Sequence, residues 1–367
     1  MKKSLLALSI LSMFAGVASA QTSVVIYGSF DGGVRELNNV ATSASTTGNR
    51  LTMGSNGTYN SNRLGFRGTE DLGNGNNAHF LLEQGFNTGS GASDSPATAR
   101  AFNRGALVGL GGGWGSLDLG HQYTTVFKTM VAYEPFSYNY PAIIPVIAAS
   151  GGNGPVGAPL ASTASTSPNY SNNVSRFSND VQYTGTFGPI TARAEHSFGE
   201  VAGSTRTGSA NGVGLSYAGG PLALGAAYIQ RKDGTTASAP TFNYDVYTVG
   251  GAYTFGPARL TAGYNKQKQA TTTIDTQVKL AWVGLNYDIT PLFQLTGAYY
   301  RTKTTAAIGD GKVDFYILGA KYLLSKRTNF YADIDNKKLA GIYRINASSI
   351  NPQDKQLGVS VGINHNF

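Results

Sequence analysis

The sequence has no cysteine, only four histidines and only 13% charged residues, and it has no long apolar run after residue 20. A chain without cysteine cannot be held together by disulfides or form thiolate metal sites. A membrane-spanning helix needs about 20 consecutive apolar residues, so this pattern also excludes a helical membrane domain after residue 20. The four histidines show neither HxxxH nor HExxH spacing, which leaves no motif for a metal-dependent enzyme.

Glycine and aromatic residues are abundant instead. The chain contains 48 glycines, 21 tyrosines and 17 phenylalanines in 367 residues. High glycine content alone is compatible with disorder, but aromatic residues at 11% indicate a chain that folds. A stable fold must therefore arise without disulfides and with few charges.

The N-terminus has the pattern of a secretory signal peptide. MKKSLLALSILSMFAGVASA combines two lysines, a short apolar run and the small residues Ala18, Ser19 and Ala20, which predicts cleavage before Gln21. Residues 1–20 are thus predicted to be a signal peptide and residues 21–367 a single domain. Loss of Lys2 and Lys3 would lower the formal net charge from +8 to +6 (8 − 2). A cysteine-free, aromatic-rich, exported chain has the composition of a bacterial outer-membrane β-barrel.

The last segment, GVSVGINHNF, alternates with a period of two. Val359, Val361, Ile363 and Phe367 fall on one face, whereas glycine, serine and asparagine occupy the other. This period indicates a strand with one apolar and one polar face rather than a helix. An aromatic residue at the end of such a strand fits a membrane interface, and the strand could pair with the first one to close a barrel.

Similar segments recur along the chain and predict sixteen strands. They lie at 24–35, 62–71, 77–87, 103–110, 116–124, 176–186, 190–199, 211–218, 222–231, 244–255, 258–267, 278–288, 292–302, 313–323, 328–336 and 356–367. Short turns such as DLGNGN, GGGWG and TFGP alternate with longer polar stretches. The longer stretches are expected at 36–61, 88–102, 125–175, 200–210, 232–243, 268–277, 303–312 and 337–355. This alternation is typical of an up-and-down antiparallel barrel, and an even strand count leaves both termini on the short-turn side.

The charged residues within these strands share one face. Arg63 and Arg67 alternate with Leu64 and Phe66, and charged pairs on later strands show the same spacing. A basic side chain facing lipid costs about 2–4 kcal/mol near the bilayer midplane, so the charges are expected to face inward. The predicted fold class is therefore all-β: a transmembrane barrel of about sixteen strands with a water-filled interior.

Other motifs that could carry chemistry are incomplete. Ser216 in GLSYA lacks the second glycine of a nucleophile elbow, and GDGKV has no Ser or Thr after its lysine as a P-loop requires. The basic residues are dispersed, which argues against nucleic acid as a partner. We therefore expect no catalytic residues, no cofactor and no metal site.

Several segments resemble the general porins of Gram-negative bacteria, in particular the trimeric branch found in β-proteobacteria. They are VVIYGSFDGGV, NRLGFRGTEDLGNGNNAHFLLEQGFN, NRGALVGLGGGWGSLDLGHQYTT, LSKRTNFYADIDN and LGVSVGINHNF. The resemblance implies a homotrimer, a third extracellular loop folded into the lumen, and a terminal strand (Val361, Ile363, Phe367) that the barrel-insertion machinery recognises. Outward glycines in LGFRG and GVSVG would let two barrels approach closely. His121 departs from the family, whose members usually carry arginine there.

The connection at 125–175 is unusually long and unusually apolar. Loops longer than about 15 residues are uncommon and usually functional. Its apolar residues include Phe127, Met130, Tyr133, Phe136, Ile143, Ile144 and Val146. Such side chains need a packing surface: the interior wall of the barrel is the nearest, and a neighbouring loop or subunit is the alternative. We expect the loop to fold into the lumen and narrow it.

The residues expected at the narrowest point are Arg35, Arg63, Arg67, Arg104 and Glu134. Arg63 and Arg67 share a strand face at about 13 Å along the chain, and Glu134 would oppose the arginines from the inserted loop. Alternatively, the arginines pair with Glu70, Asp71 and Glu83 near the turns.

The predicted function is passive diffusion of ions and small hydrophilic solutes across the outer membrane, with a mild preference for anions. A solute-specific porin stays open as an alternative, as do a barrel enzyme with a nucleophile–histidine pair and an adhesin with a plugged lumen. The expected partners are two further copies of the chain, outer-membrane lipid, the barrel-insertion machinery, and small solutes and anions.

Overall fold

A computed structural model describes residues 23–43, 45–53, 57–94, 100–139, 175–234, 236–238, 241–270, 274–345 and 353–367. The predicted signal peptide lies outside these ranges. Within them the strands are β1 Ser23–Ala41, β2 Thr47–Met53, β3 Arg63–Gly73, β4 Asn76–Gly85, β5 Gly105–Gly112, β6 Gly115–Tyr123, β7 Arg176–Phe187, β8 Ile190–Ser197, β9 Ala210–Gly219, β10 Leu222–Asp233, β11 Phe242–Phe255, β12 Ala258–Gln269, β13 Thr276–Thr290, β14 Phe293–Ala306, β15 Gly309–Leu323, β16 Thr328–Gly341 and β17 Lys355–Asn366. One short helix, α1, spans Thr125–Met130. Among the described residues, no helix is long and apolar enough to cross a membrane.

Sixteen of these strands form a closed antiparallel barrel. From β3 to β17 each strand pairs with its neighbours in sequence. β1 closes the ring: its residues Ser23–Ser29 pair with β3, and its residues Ser29–Leu37 pair with β17. Closure matters because an unpaired strand edge in lipid would leave backbone N–H and C=O groups without hydrogen bonds. The prediction of a sixteen-stranded up-and-down barrel is confirmed.

Two predicted loops differ from the structure. Within the stretch 36–61, β1 continues to Ala41 and β2 returns along it, with Val34 opposite Met53. The prediction of a long loop at 303–312 is wrong, because β14 runs to Ala306 and β15 begins at Gly309. Thr302 and Thr304 face the polar interior of the barrel, so both faces of this strand end are polar and the segment resembles a loop in the sequence.

The two faces of the wall have opposite chemistry. On β13, Val283, Leu285 and Tyr287 are exposed, whereas Leu280 and Trp282 on the opposite face are buried. The exposed apolar side chains form the lipid-facing band, and the opposite face carries charged residues such as Arg67, Asp333 and Asp335, as the parity of the sequence predicted.

The expectation that glycines in LGFRG and GVSVG form a flat outer wall is contradicted for Gly65, Gly358 and Gly362. These glycines lie on the inward face of their strands. A Cβ at Gly65 would lie 2.3 Å from the ring of Tyr27, and one at Gly362 would lie 2.3 Å from the hydroxyl of Tyr331. Inside the barrel, Gly65 and Gly362 make room for tyrosines, and Gly358 makes room for the side chains of Arg35 and Asp335.

The last residue lies at the seam between β1 and β17. The amides of Gly28 and Phe367 each donate to the carbonyl of the other at 3.2 Å. The Phe367 ring occupies the space above Gly28, where a Cβ would lie 2.5 Å from its Cζ atom, and it contacts Phe30 at 5.6 Å between ring centroids. The chain therefore ends in an aromatic contact on the outer face of the closing seam.

Candidate functional site: the inner wall and the loop after β6

The connection after β6 begins with α1, which packs on the inner face of the wall. The Thr124 hydroxyl caps the helix by accepting a hydrogen bond from the amide of Phe127 at 3.3 Å. Glu195, on the inner face of β8, accepts hydrogen bonds from the amide of Thr125 at 3.1 Å and from its hydroxyl at 2.8 Å. A carboxylate is favourable at this position because the N-terminus of a helix carries partial positive charge. These contacts direct the chain inward as it leaves β6.

Beyond the helix, Tyr133 packs where two glycines leave room for it. Its hydroxyl lies 3.0 Å from the Thr248 hydroxyl, and its carbonyl accepts a hydrogen bond from the Trp282 indole at 3.0 Å. A Cβ at Gly250 would lie 2.3 Å from the Tyr133 ring, and one at Gly225 would lie 2.8 Å from it. The ring thus takes the place of the side chains that β10 and β11 lack here.

The rest of the described loop continues along the wall. Asn286 donates to the carbonyl of Pro135 at 2.8 Å, and Arg259 donates to the carbonyl of Ala132. A Cβ at Gly284 would lie 2.5 Å from the Pro135 ring. The prediction that the loop turns inward is consistent with these contacts, while its residues Ile143, Ile144 and Val146 lie outside the described residues.

Glu134 does not face the opening of the channel. Its side chain is almost fully buried, at 1% exposure. The carboxylate accepts hydrogen bonds from the Tyr300 hydroxyl at 2.5 Å and from the amides of Phe136 and Tyr138 at 2.9 Å each. Burial raises the pKa of Glu134 to about 7, although these hydrogen bonds act in the opposite direction. Glu134 is predicted to oppose the arginines at the narrowest point; the structure places its carboxylate in the interface between loop and wall.

Arg104 and Arg176 meet on the inner face near the start of the loop. Arg104 forms an ion pair with Glu83 at 2.8 Å and donates to the Tyr123 hydroxyl at 2.9 Å. Arg176 donates to the carbonyl of Arg104 at 2.8 Å, and its guanidinium carbon lies 4.1 Å from the centre of the Tyr123 ring. Tyr123 therefore holds both guanidinium groups in place: its hydroxyl accepts a hydrogen bond from each, and its ring also contacts that of Arg176.

Arg63 and Arg67 extend this basic surface along β3. Arg67 is exposed to the lumen, with its guanidinium 5.3 Å from the centre of the Tyr27 ring. Arg63 is half-buried and donates to the side-chain oxygen of Asn60 at 3.3 Å. Neither arginine forms an ion pair with any of the 20 acidic residues, all of which the structure describes. We call Arg63, Arg67, Arg104 and Arg176 the arginine cluster; Glu83 is the carboxylate that contacts it.

Comparison with known sequences places this barrel in a family. The sequence profile of the family described as Gram-negative porin matches residues 7–340. The chain belongs to the Gram-negative porin family. It is 30% identical over 416 aligned residues to an outer membrane porin protein of Bordetella pertussis, with 100% of both chains covered. It is also 30% identical over 396 residues to outer membrane porin protein 32 of Delftia acidovorans, again over 100% of both chains.

Solved porin structures share the fold. An anion-selective porin from Comamonas acidovorans matches with a TM-score of 0.76 at 25% identity, over 95% of this chain and 100% of that chain. The trimer form of OmpT from Vibrio cholerae matches with a TM-score of 0.65 at 15% identity, over 94% and 99% of the two chains, which shows the fold alone. The chain is thus a diffusion channel of the Gram-negative outer membrane and not an enzyme.

Of the five residues predicted for the narrowing of this porin, the structure brings together Arg63, Arg67 and Arg104. Arg35 lies elsewhere: on β1, it forms ion pairs with Asp333 at 3.3 Å and Asp335 at 2.6 Å. Two carboxylates beside one guanidinium leave Arg35 with no positive charge to offer a passing solute. The predicted wall residue Arg35 is thus ion-paired on the inner face and lies apart from the other three arginines.

Arg176 and the two tyrosines that hold the guanidinium groups of the porin in place, Tyr27 and Tyr123, are not predicted from the sequence. Arg176 is the first residue of β7, as Arg104 immediately precedes β5, so its place at a strand end was a usable signal. The alternative that the arginines pair with nearby acids holds for Arg104 with Glu83. Within the described ranges, no three His, Asp or Glu side chains come together to hold a metal ion.

Proposed function

We propose that this porin is a passive channel with a preference for anions, in which the arginine cluster provides the selective charge. The observation that carries the proposal is the balance of charge on the inner wall. Arg104 is ion-paired with Glu83, whereas Arg63 and Arg67 form no ion pair with any acidic residue, all of which the structure describes. With Glu134 buried, the inserted loop presents no carboxylate of its own to oppose them.

The electrostatics of a narrow passage support an anion preference. Walls of low dielectric focus the field of a few charges, so an excess of local anions follows from the cluster rather than from the net charge of the chain. The effect must weaken at high salt, since the Debye length falls from about 10 Å at 0.1 M to about 3 Å at 1 M. The similarity to the anion-selective porin from Comamonas acidovorans also supports a preference for anions over cations.

The proposal is tested by the reversal potential across a planar bilayer with a tenfold KCl gradient. The wild type should be anion-selective, and Arg67→Glu should move the reversal potential towards the cation value. Lys326→Glu, in the short turn between β15 and β16, makes the same change of charge on an exposed turn and should leave the potential close to that of the wild type. A cation-selective wild type would refute the proposed preference for anions. If Arg67→Glu had the same reversal potential as the wild type, Arg67 would not belong to the selective region.

We further propose that the channel functions as a homotrimer, is exported by a cleaved signal peptide at residues 1–20, and uses Val361, Ile363 and Phe367 for recognition by the insertion machinery. The family resemblance and the trimer form of the OmpT neighbour support the trimer. Unheated electrophoresis should show a large, heat-labile band, and conductance should rise in steps of three. A purely monomeric band in mild detergent would count against the trimer.

A further inference from the structure

Four lysines stand side by side on the outer face of the barrel. Strand register places Lys266 of β12 opposite Lys279 of β13, Lys279 opposite Lys303 of β14, and Lys303 opposite Lys312 of β15. They point outward, because they share the parity of lipid-facing residues such as Tyr264 and Val283 on the same strands. We call these four residues the lysine row. At about 4.8 Å between neighbouring strands, the row spans roughly 14 Å.

Most of this charge is not neutralised by the protein. Lys312 forms an ion pair with Asp314 at 2.8 Å, and Asp314 also pairs with Arg301 at 2.7 Å. Lys266, Lys279 and Lys303 form no ion pair with any acidic residue of the chain, all of which lie in the described part. Like charges directly opposite each other across strands are destabilising. An anion bound from outside the protein would therefore relieve the repulsion within the row.

The lysine row lies at the level where lipid headgroups meet the barrel. Tyr247 is the cross-strand neighbour of Lys266, and Tyr264 lies two residues below it. Further round the wall, Tyr299 and Tyr316 stack at 4.9 Å just below the row. Aromatic side chains mark the interface between hydrocarbon and headgroups, and the row begins where these tyrosines end, on the side away from the short turns.

An apolar groove starts at the end of the row. It has a volume of about 440 Å³ and lies on the outer wall around Ala226, between Leu215 on β9 and Val249 on β11. Its upper border is formed by Tyr247 and Tyr264, the two tyrosines next to Lys266. A small residue flanked by larger ones thus leaves a depression in the lipid-facing wall that could hold part of one acyl chain.

We propose that this surface binds one phosphorylated lipid of the leaflet on the long-loop side. Its phosphate groups contact Lys266, Lys279 and Lys303, and one of its acyl chains lies in the groove beside Ala226. Charge complementarity selects the phosphate, and the groove, contiguous with the row, selects a lipid over a soluble phosphate compound.

The test uses the full folded barrel, delipidated in detergent and incubated with diphosphoryl lipid A, dephosphorylated lipid A or inorganic phosphate. Retained lipid is measured by native mass spectrometry. A basic residue at a membrane surface contributes about a fivefold gain in affinity, so Lys266→Gln/Lys279→Gln/Lys303→Gln should lose on the order of a hundredfold for the diphosphoryl lipid only. The matched control Arg50→Gln/Lys326→Gln/Arg327→Gln removes three exposed basic residues elsewhere and should bind as the wild type does.

A second pair of variants tests the groove. Ala226→Leu fills it and should weaken binding of the acylated lipid, whereas Ala262→Leu, on the same outer face but outside the groove, should not. Equal loss in the control triple variant, equal binding of the dephosphorylated lipid, or displacement of the lipid by an equal concentration of inorganic phosphate would overturn the proposal. A triple variant that changes the oligomeric state and keeps its lipid would likewise overturn it, since the row would then face another copy of the chain.

Discussion

Glu134 should make the packing of the loop after β6 against the wall depend on pH. With the loop packed, burial raises the pKa of this carboxyl to about 7, whereas its ordinary value is 4.5. A raised pKa means that the packed loop binds the proton more tightly than the detached loop does. The packing is therefore strongest below about pH 4.5, weakens as the pH rises through about 7, and is constant above about pH 8. The free energy of loop packing therefore differs by about 3 kcal/mol between low and high pH, at 1.36 kcal/mol per pKa unit.

Glu134→Gln should remove this dependence. An amide resembles the protonated acid: its oxygen can accept from the amides of Phe136 and Tyr138, and its nitrogen can donate to the Tyr300 hydroxyl. At pH 8 the variant loop should thus be packed more tightly than that of the wild type by up to about 3 kcal/mol, which is on the order of a hundredfold in the opening equilibrium.

The assay is hydrogen exchange of the amides between residues 132 and 138, corrected for the intrinsic effect of pH and compared between pH 5 and pH 8. The wild type should lose protection over this range, and Glu134→Gln should keep it. Glu200→Gln, at an exposed position between β8 and β9, is the control and should follow the wild type. If Glu134→Gln lost protection with rising pH as the wild type does, the buried carboxyl would not be the titrating group and the reasoning would fail.

Two further changes test the loop contact and the seam. Gly250→Leu places a side chain where Tyr133 lies, so it should cost about 1–3 kcal/mol of stability and raise single-channel conductance, whereas Gly297→Leu, whose nearest neighbour to a Cβ is 3.9 Å away, should do neither. Phe367→Ala removes the contact with Phe30 and should lower the free energy of unfolding by at least about 1 kcal/mol, measured by urea denaturation in lipid vesicles. Phe187→Ala, at an exposed strand end, is its control. If both variants lost the same free energy of unfolding, the contact at the seam would add no more stability than any exposed aromatic residue.

The barrel could be predicted because its signals are local. Period-two alternation and Gly/Pro turns mark each strand without knowledge of its neighbours, and parity then assigns Arg63 and Asp333 to the inner face. The prediction of a loop at 303–312 failed because both faces of the strand are polar there. At Thr302 and Thr304 the inner face is polar, so the sequence shows no alternation of apolar and polar residues.

The candidate site depended on contacts that the sequence does not encode locally. Whether Arg35 is free is decided by Asp333 and Asp335, about 300 residues away along the chain but on the same wall. Glu134 offered a weak local hint, since aromatic residues surround it in YEPFSY, but its burial requires Tyr300 on β14. The alternation of residues along a strand predicts which face a side chain occupies. Its ion pairs and its burial depend on partners that only the closed barrel brings together.

The closing seam also constrains how the wall can form. Every other seam of the ring joins strands that follow each other along the chain or, for β1 and β3, are separated only by β2, but β1 meets β17 with Ser29 opposite Asn366. That contact has the largest sequence separation in the barrel and the greatest loss of chain entropy on closure, so it is expected to form late. Until it forms, β1 and β17 each present an open edge to the membrane. A product that stopped before β17 would keep an open edge permanently, so a missing last strand would compromise the whole channel rather than one part of it.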